Sequence, residues 1–215
     1  LLDCKDAACL RALPHEKLVG MELFMEVAKT VVFSGWQYYI TWNPVVDGTV
    51  IVEDSTLSFE EGRVSKPIIM GTNRNEGELF EGLERIVGGG DADQVFGFDQ
   101  YIEFIASVFG RHFQDVEGAY PGNLEGSNES IISKIITDYS FHCATHEALE
   151  LNSGHVPVWA YIFNKVPSFN YACIAECAEF VCHTAELPFV FHTAELLHHC
   201  TARRKFGYEY APEEE

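Results

Sequence analysis

The chain has 215 residues, 47% of them hydrophobic, and a formal net charge of −19. That apolar content fills a core and excludes a disordered chain, and no apolar run reaches the ~18 residues that a bilayer span needs. The charge repels nucleic acid and anionic membrane surfaces, which excludes both as partners; its first use is solubility, since steering of cationic substrates needs a focused cleft.

In chain order, residues 1–14 hold Cys4 and Cys9 and end in Arg11-Ala-Leu-Pro14. Glu16 to Lys29 reads as a helix, with Val19, Leu23 and Val27 at i, i+4 and i+8. Residues 31–66 read as irregular, with Pro44-Val-Val-Asp-Gly48 a turn between apolar pieces. Pro67-Ile-Ile-Met70 is a short apolar run without alternation, which predicts a strand buried on both faces of a parallel sheet. Gly88-Gly-Gly90 predicts a flexible loop, because no Lys-Ser/Thr follows to make a phosphate cradle. Residues 97–110 and 129–150 read as helices, the second with Ile132, Ile136, Tyr139 and Cys143 on one apolar face. Val156 to Phe163 is a second continuous apolar run, and so a second buried strand.

Helix, strand, helices, strand is α/β order, and the sheet should be parallel. Two strands do not make a stable open α/β sheet, so the chain reads as half of something. His-Thr-Ala-Glu-Leu occurs at 183–187 and again at 192–196. An offset of nine fits no solenoid period and reads as coincidence or local duplication.

The seven cysteines stand at 4, 9, 143, 173, 177, 182 and 200. Such clustering, with the acceptor triplet Asn128-Glu-Ser130 that makes Asn128 a glycosylation candidate, favours an oxidising, secreted or lumenal setting. The odd count leaves at least one thiol free or paired outside the chain. Cys173, Cys177, Cys182, His183, His192, His198, His199 and Cys200 could all ligate zinc, and His192, Glu195 and His199 share a helical face. Their spacing matches no standard finger or ribbon, and a disulfide within 173–182 is the simpler reading.

Five segments in order resemble the type-B carboxylesterases, the cholinesterase-like branch of the α/β-hydrolases. They are Cys9-Leu-Arg11 with Pro14, Asn43-Pro-Val-Val-Asp-Gly48, Pro67-Ile-Ile-Met-Gly-Thr-Asn73 with Asn75-Glu-Gly77 and Phe80, Thr137-Asp-Tyr-Ser-Phe-His-Cys143, and Val181-Cys-His-Thr-Ala-Glu-Leu-Pro-Phe-Val-Phe191. The resemblance implies an α/β-hydrolase fold, of which residues 1–215 form the C-terminal half, a partial domain with parallel strands and flanking helices that is incomplete without its upstream half. It implies Glu76 as the acid and His183 as the base of a catalytic triad, in the chain order nucleophile, acid, base. The nucleophile elbow Gly-x-Ser-x-Gly and the glycine-rich oxyanion loop occur nowhere in the chain and are expected upstream of Leu1. Tyr208 to Glu215 resembles the approach to a final helix, beyond which the partner of Cys143 is expected.

The resemblance implies a serine ester hydrolase with an ester substrate and no cofactor, completed by the upstream half or another chain. The alternative is an esterase-like structural or adhesion module without catalysis. Glu78 competes with Glu76 as a helix N-terminal carboxylate. Thr184 stands where the family has glycine, and Glu186 reads as a loop carboxylate accepting backbone hydrogen bonds. Trp36, Trp42, Phe80, Phe104, Phe109 and Phe141 are candidates for an apolar pocket or for the core. The resemblance also pairs Cys4 with Cys9. Two of Cys173, Cys177 and Cys182 pair with each other, with Cys173 and Cys182 put forward.

Overall fold

The computed structural model describes residues 4–18, 44–87, 96–168 and 176–193, which fall into two compact units. Most of the helix expected at 16–29, the glycine loop at 88–90 and most of the repeat at 192–196 lie outside them, as do Trp36, Trp42, Cys173, Glu195, His198, His199 and Cys200.

One unit takes residues up to Val45 together with Asp99–Ala119. Its first helix, α1 (Ala7–Arg11), starts where Asp6 accepts the Cys9 N–H at 2.8 Å, and Cys4 is joined to Cys9 by a disulfide across the same turn.

The second unit takes Val46–Phe98 and residues from Tyr120 onward. Asp47 holds the turn before it: one carboxylate oxygen accepts the N–H groups of Thr49, Val50 and Ile51, and these bonds push its pKa down. The span read as irregular contains a short helix, α2 (Ser55–Glu60), started by Asp54 accepting the Thr56 N–H; Asp54-Ser-Thr is the capping signal that apolar counting passes over.

Strand β1 (Ile68–Asn73) leads into α3 (Glu76–Val87). In the first unit, from Asp99 on, helix α4 (Phe98–Phe109) buries Tyr101, Phe104 and Ile105, one stripe at i, i+3 and i+4, and α5 (Phe113–Ala119) follows it. Helix α6 (Glu129–Ile136) continues through a π-helical stretch, Thr137–Cys143, into α7 (Ala144–Ser153). Strand β2 (Val158–Phe163) then runs parallel to β1, from Ile68 opposite Val158 to Asn73 opposite Phe163. Both strands therefore end at the same sheet edge, where α/β sites form.

Three expectations need correction here. The strands are not buried on both faces: Trp159 is 56% and Ile162 62% exposed, and Ile69 and Tyr161 are exposed as well. Among the described residues the sheet has two strands, and the helical run Thr137–Ser153 packs on it without covering these four side chains. The apolar face read along 129–150 holds at Ile132 and Ile136, but Tyr139 and Cys143 are exposed. The π-helical stretch takes more residues per turn than 3.6, so it rotates the face at Thr137. Asn128, the glycosylation candidate, is fully buried. Its Nδ2, the atom a glycan would occupy, donates to the carbonyls of Phe96, Asn123 and Gly126, and its Oδ1 accepts the Asn123 N–H. The triplet is a turn lock, and a glycan has no room there.

The π-helical stretch also seats α3. Thr137 Oγ1 accepts the Gly77 N–H at 2.9 Å and donates to the Ser133 carbonyl at 2.9 Å. A Cβ on Gly77 would run into the Ser133 carbonyl oxygen. Gly77→Ala should therefore force α3 off α6 and cost about 3 kcal/mol, the upper end of overpacking penalties. Urea unfolding of the variant against the parent checks this.

Candidate active site

The acid side is built where β1 stops. Asn73 closes the strand, Arg74 and Asn75 turn, and Glu76 opens α3. Glu76 is buried, 4% exposed, at a helix N-terminus whose dipole favours a carboxylate. Each oxygen has a donor: Oε1 takes the Asn73 N–H at 2.6 Å and Oε2 meets His183 Nδ1 at 2.7 Å. A buried charge needs that pairing.

The base side is a loop laid against the same turn. The Asn75 N–H donates to the Val181 carbonyl at 3.0 Å, and the Asn73 side chain donates to the Cys182 carbonyl at 3.0 Å. A disulfide joins Cys177 to Cys182, both fully buried. This corrects the pairing of Cys173 with Cys182; the three thiols were equally eligible by sequence, and the backbone brings the Cα atoms of 177 and 182 to 5.5 Å. It also removes Cys177 and Cys182 as zinc ligands. Among the described residues no three His, Cys, Asp or Glu side chains gather as a metal site would require. Cys143 is an exposed free thiol.

The imidazole of His183 lies against two rings, with Phe80 at 5.0 Å and Phe141 at 5.2 Å, and its side chain stays 37% exposed. A carboxylate only accepts, so its contact with Glu76 puts the ring proton on Nδ1. Phe80 and Phe141, pocket candidates in the sequence, stack on each other and meet the imidazole at a tilt. Glu78 stands with Glu76 in the first turn of α3, and with Arg74, Lys134, Asp138 and His142 it lines a cavity of about 340 Å³ that neither Glu76 nor His183 lines.

Glu186 differs from its expected role. Among the described residues its carboxylate accepts a hydrogen bond from the Asn73 side-chain amide and none from a backbone N–H. Thr184 adopts the left-handed backbone, φ 72°. A β-branched residue there is strained by about 1–2 kcal/mol. Thr184→Gly relieves that strain but frees the unfolded chain, so a net gain of about 0.5–1 kcal/mol is expected. Thermal melts of the two proteins at matched pH measure it.

The sequence reading did not single out Asn73, Thr137 or the group behind them. Asp138 Oδ1 lies 3.2 Å from His142 Nδ1, Tyr120 donates to Asp138 Oδ2 at 2.8 Å, and His142 Nε2 is 3.3 Å from the Asn73 carbonyl oxygen. Burial first, then the hydrogen bond and charge of Asp138, push the Tyr120 pKa up to about 12, so the phenol remains a donor at neutral pH. The i, i+4 spacing of Asp138 and His142 is the signal that could have found this pair.

Three comparisons bear on this arrangement. The sequence pattern of the carboxylesterase family matches residues 3–204. The chain is 28% identical over 201 residues to the Crystal protein of Dictyostelium discoideum, covering 90% of this chain and 34% of that protein. It is 27% identical over 159 residues to the para-nitrobenzyl esterase of Bacillus subtilis (strain 168), covering 72% of this chain and 28% of that one. A solved structure of a PNB esterase superposes on 87% of this chain and 36% of its own, with a TM-score of 0.60 and 23% identity, which places the chain in the α/β-hydrolase fold. The chain thus spans about a third of the length of the proteins it matches.

Proposed function

We propose, from the premise that this chain belongs to the carboxylesterase family, that it supplies the acid and the base of a serine ester hydrolase. The observation that carries the reading is the 2.7 Å contact between Glu76 Oε2 and His183 Nδ1, residues 107 positions apart, at the sheet edge where both strands end. Glu76 holds the imidazole with its proton on Nδ1. Nε2 is then the nitrogen that takes the proton of a hydroxyl nucleophile and returns it to the leaving alcohol. As imidazolium forms, the buried carboxylate stabilises it most strongly, because little water screens the pair. Phe80 and Phe141 fix the ring plane.

The nucleophile and the oxyanion donors come from a segment outside residues 1–215, which form the acid–base part of one esterase domain. The exposed apolar side chains of Ile69, Trp159 and Tyr161 on one sheet face and of Ile162 on the other support a covering segment of that kind. The disulfides Cys4–Cys9 and Cys177–Cys182 support a secreted or lumenal location. Among the described residues no helix is long and apolar enough to cross a membrane.

The test is covalent trapping. A fluorophosphonate should label one serine of the protein assembled with that segment, and labelling should stop when a p-nitrophenyl ester saturates the site. An assembled protein that neither reacts with the phosphonate nor turns over short-chain esters contradicts the reading.

A further inference from the structure

We propose that Asn73 is a positioning residue: it registers the acid to the base through three hydrogen bonds from one residue. Its backbone N–H donates to Glu76 Oε1 at 2.6 Å, and its Nδ2 donates both to the Cys182 carbonyl at 3.0 Å and to the Glu186 carboxylate. Cys182 is the residue before His183, and Glu186 closes the same loop. One side chain on the end of β1 therefore spans from the turn that aims Glu76 to the loop that carries the imidazole. This inference rests on the hydrolase reading of the same site.

The amide inventory shows that Asn73 is not a convenient core filler. Both Nδ2 hydrogens are used, and no donor among the described residues reaches Oδ1 although the residue is 2% exposed. An unsatisfied buried acceptor costs stability, a cost that an apolar side chain in the same space would avoid. The donors are what the position is kept for. They cannot be supplied from elsewhere: the Asn75 N–H is taken by Val181, and the Gly77 N–H by Thr137. Behind Asn73, His142 holds its carbonyl side at 3.3 Å, with Asp138 and Tyr120 in line. Asn73 is thus fixed on the far side as well.

The effect should be geometric. Asn73→Asp keeps the shape, removes both side-chain donors, and sets a carboxylate against the Cys182 carbonyl and the Glu186 carboxylate. The loop carrying His183 then withdraws, and a displacement near 1 Å costs about 10²-fold in rate. The loss should fall on kcat, with KM within about twofold, because no substrate-binding group has moved. Combining Asn73→Asp with Glu186→Gln reverses donor and acceptor, since the new amide on the loop can donate to the new carboxylate at the strand end. The pair should recover about tenfold of the loss, a coupling of the size seen between contacting residues.

The experiment uses the protein assembled with its nucleophile segment, with p-nitrophenyl butyrate as substrate. It adds a readout independent of turnover, the low-field Nδ1 proton resonance of His183 in protein labelled with ¹⁵N-histidine. The wild type shows the resonance, Asn73→Asp loses it, and the double variant regains it. An Asn73→Asp protein with wild-type kcat and an intact resonance overturns the role, and so does a double variant no better than the single one. An assembled wild type that hydrolyses no ester removes the hydrolase reading, while the resonance still decides what Asn73 does.

Discussion

His183→Ala in the assembled protein should lower kcat for p-nitrophenyl butyrate by about 10⁶-fold, the scale seen when a triad base is removed. The hydroxyl nucleophile is a weak one at neutral pH unless a base takes its proton as it attacks. The same imidazole must then protonate the leaving alcohol, so its loss slows bond formation and bond cleavage together. KM should hardly move, because the ring touches the reacting atoms and not the rest of the ester. The fold should survive: the side chain is 37% exposed, and the loop stays tied by the Cys177–Cys182 disulfide and by the Asn73 and Asn75 hydrogen bonds to Cys182 and Val181. Steady-state kinetics with a parallel thermal melt separates lost chemistry from lost structure.

Glu76→Gln should cost about 10⁴-fold in kcat with little change in stability, the scale of an acid-to-amide change in a triad. The amide fills the same buried space. Its oxygen can keep the Asn73 N–H, now accepted at 2.6 Å by Oε1. That leaves its NH₂ facing His183 Nδ1. Two donors cannot share the contact, so the ring proton moves to Nε2 and the imidazole presents the wrong tautomer to the nucleophile. The carboxylate that stabilises the imidazolium is gone as well. The same kinetic comparison measures it, and a rate within tenfold of the parent would mean that Glu76 orients nothing.

The two ends of the candidate site were legible through the family resemblance, which marks Glu76 in the segment Pro67 to Gly77 and His183 in the segment Val181 to Phe191; the apolar run at Pro67–Met70 added only that a strand precedes Glu76. The helices expected at 97–110 and 129–150 are present at Phe98–Phe109 and, through the π-helical stretch, from Glu129 to Ser153. What failed depended on contacts that period and pattern do not encode. The π-helical stretch at Thr137–Cys143 breaks the 3.6 count, and with it the face assigned to Tyr139 and Cys143. It also puts the Thr137 hydroxyl on the Gly77 N–H, a bond no spacing rule foretells.

Asn128 satisfied a three-residue pattern, yet its neighbours fold a turn over it, and only tertiary structure shows that burial. The pairing of Cys177 with Cys182 rests on a backbone distance that cysteine spacing does not give. The strands were read as buried because apolar runs signal a two-sided environment. Among the described residues, nothing supplies it for Trp159 and Ile162. Asn73 was quoted within its motif and passed over because its function lies in bonds to residues more than a hundred positions away.

The central claim, that Glu76 and His183 are the acid and base of an esterase whose serine lies elsewhere, meets its most direct test in complementation. Residues 1–215 and the separately produced nucleophile-bearing segment are assayed alone and mixed, with p-nitrophenyl butyrate. Neither part should hydrolyse the ester above background: a base and its carboxylate form no acyl-enzyme without a hydroxyl beside them, and oxyanion donors worth roughly 10²–10³ each are missing as well. The mixture should turn the ester over, and should lose that activity when His183 is replaced by alanine. Serine-dependent turnover by residues 1–215 alone, or full activity of the mixture carrying His183→Ala, would contradict the account.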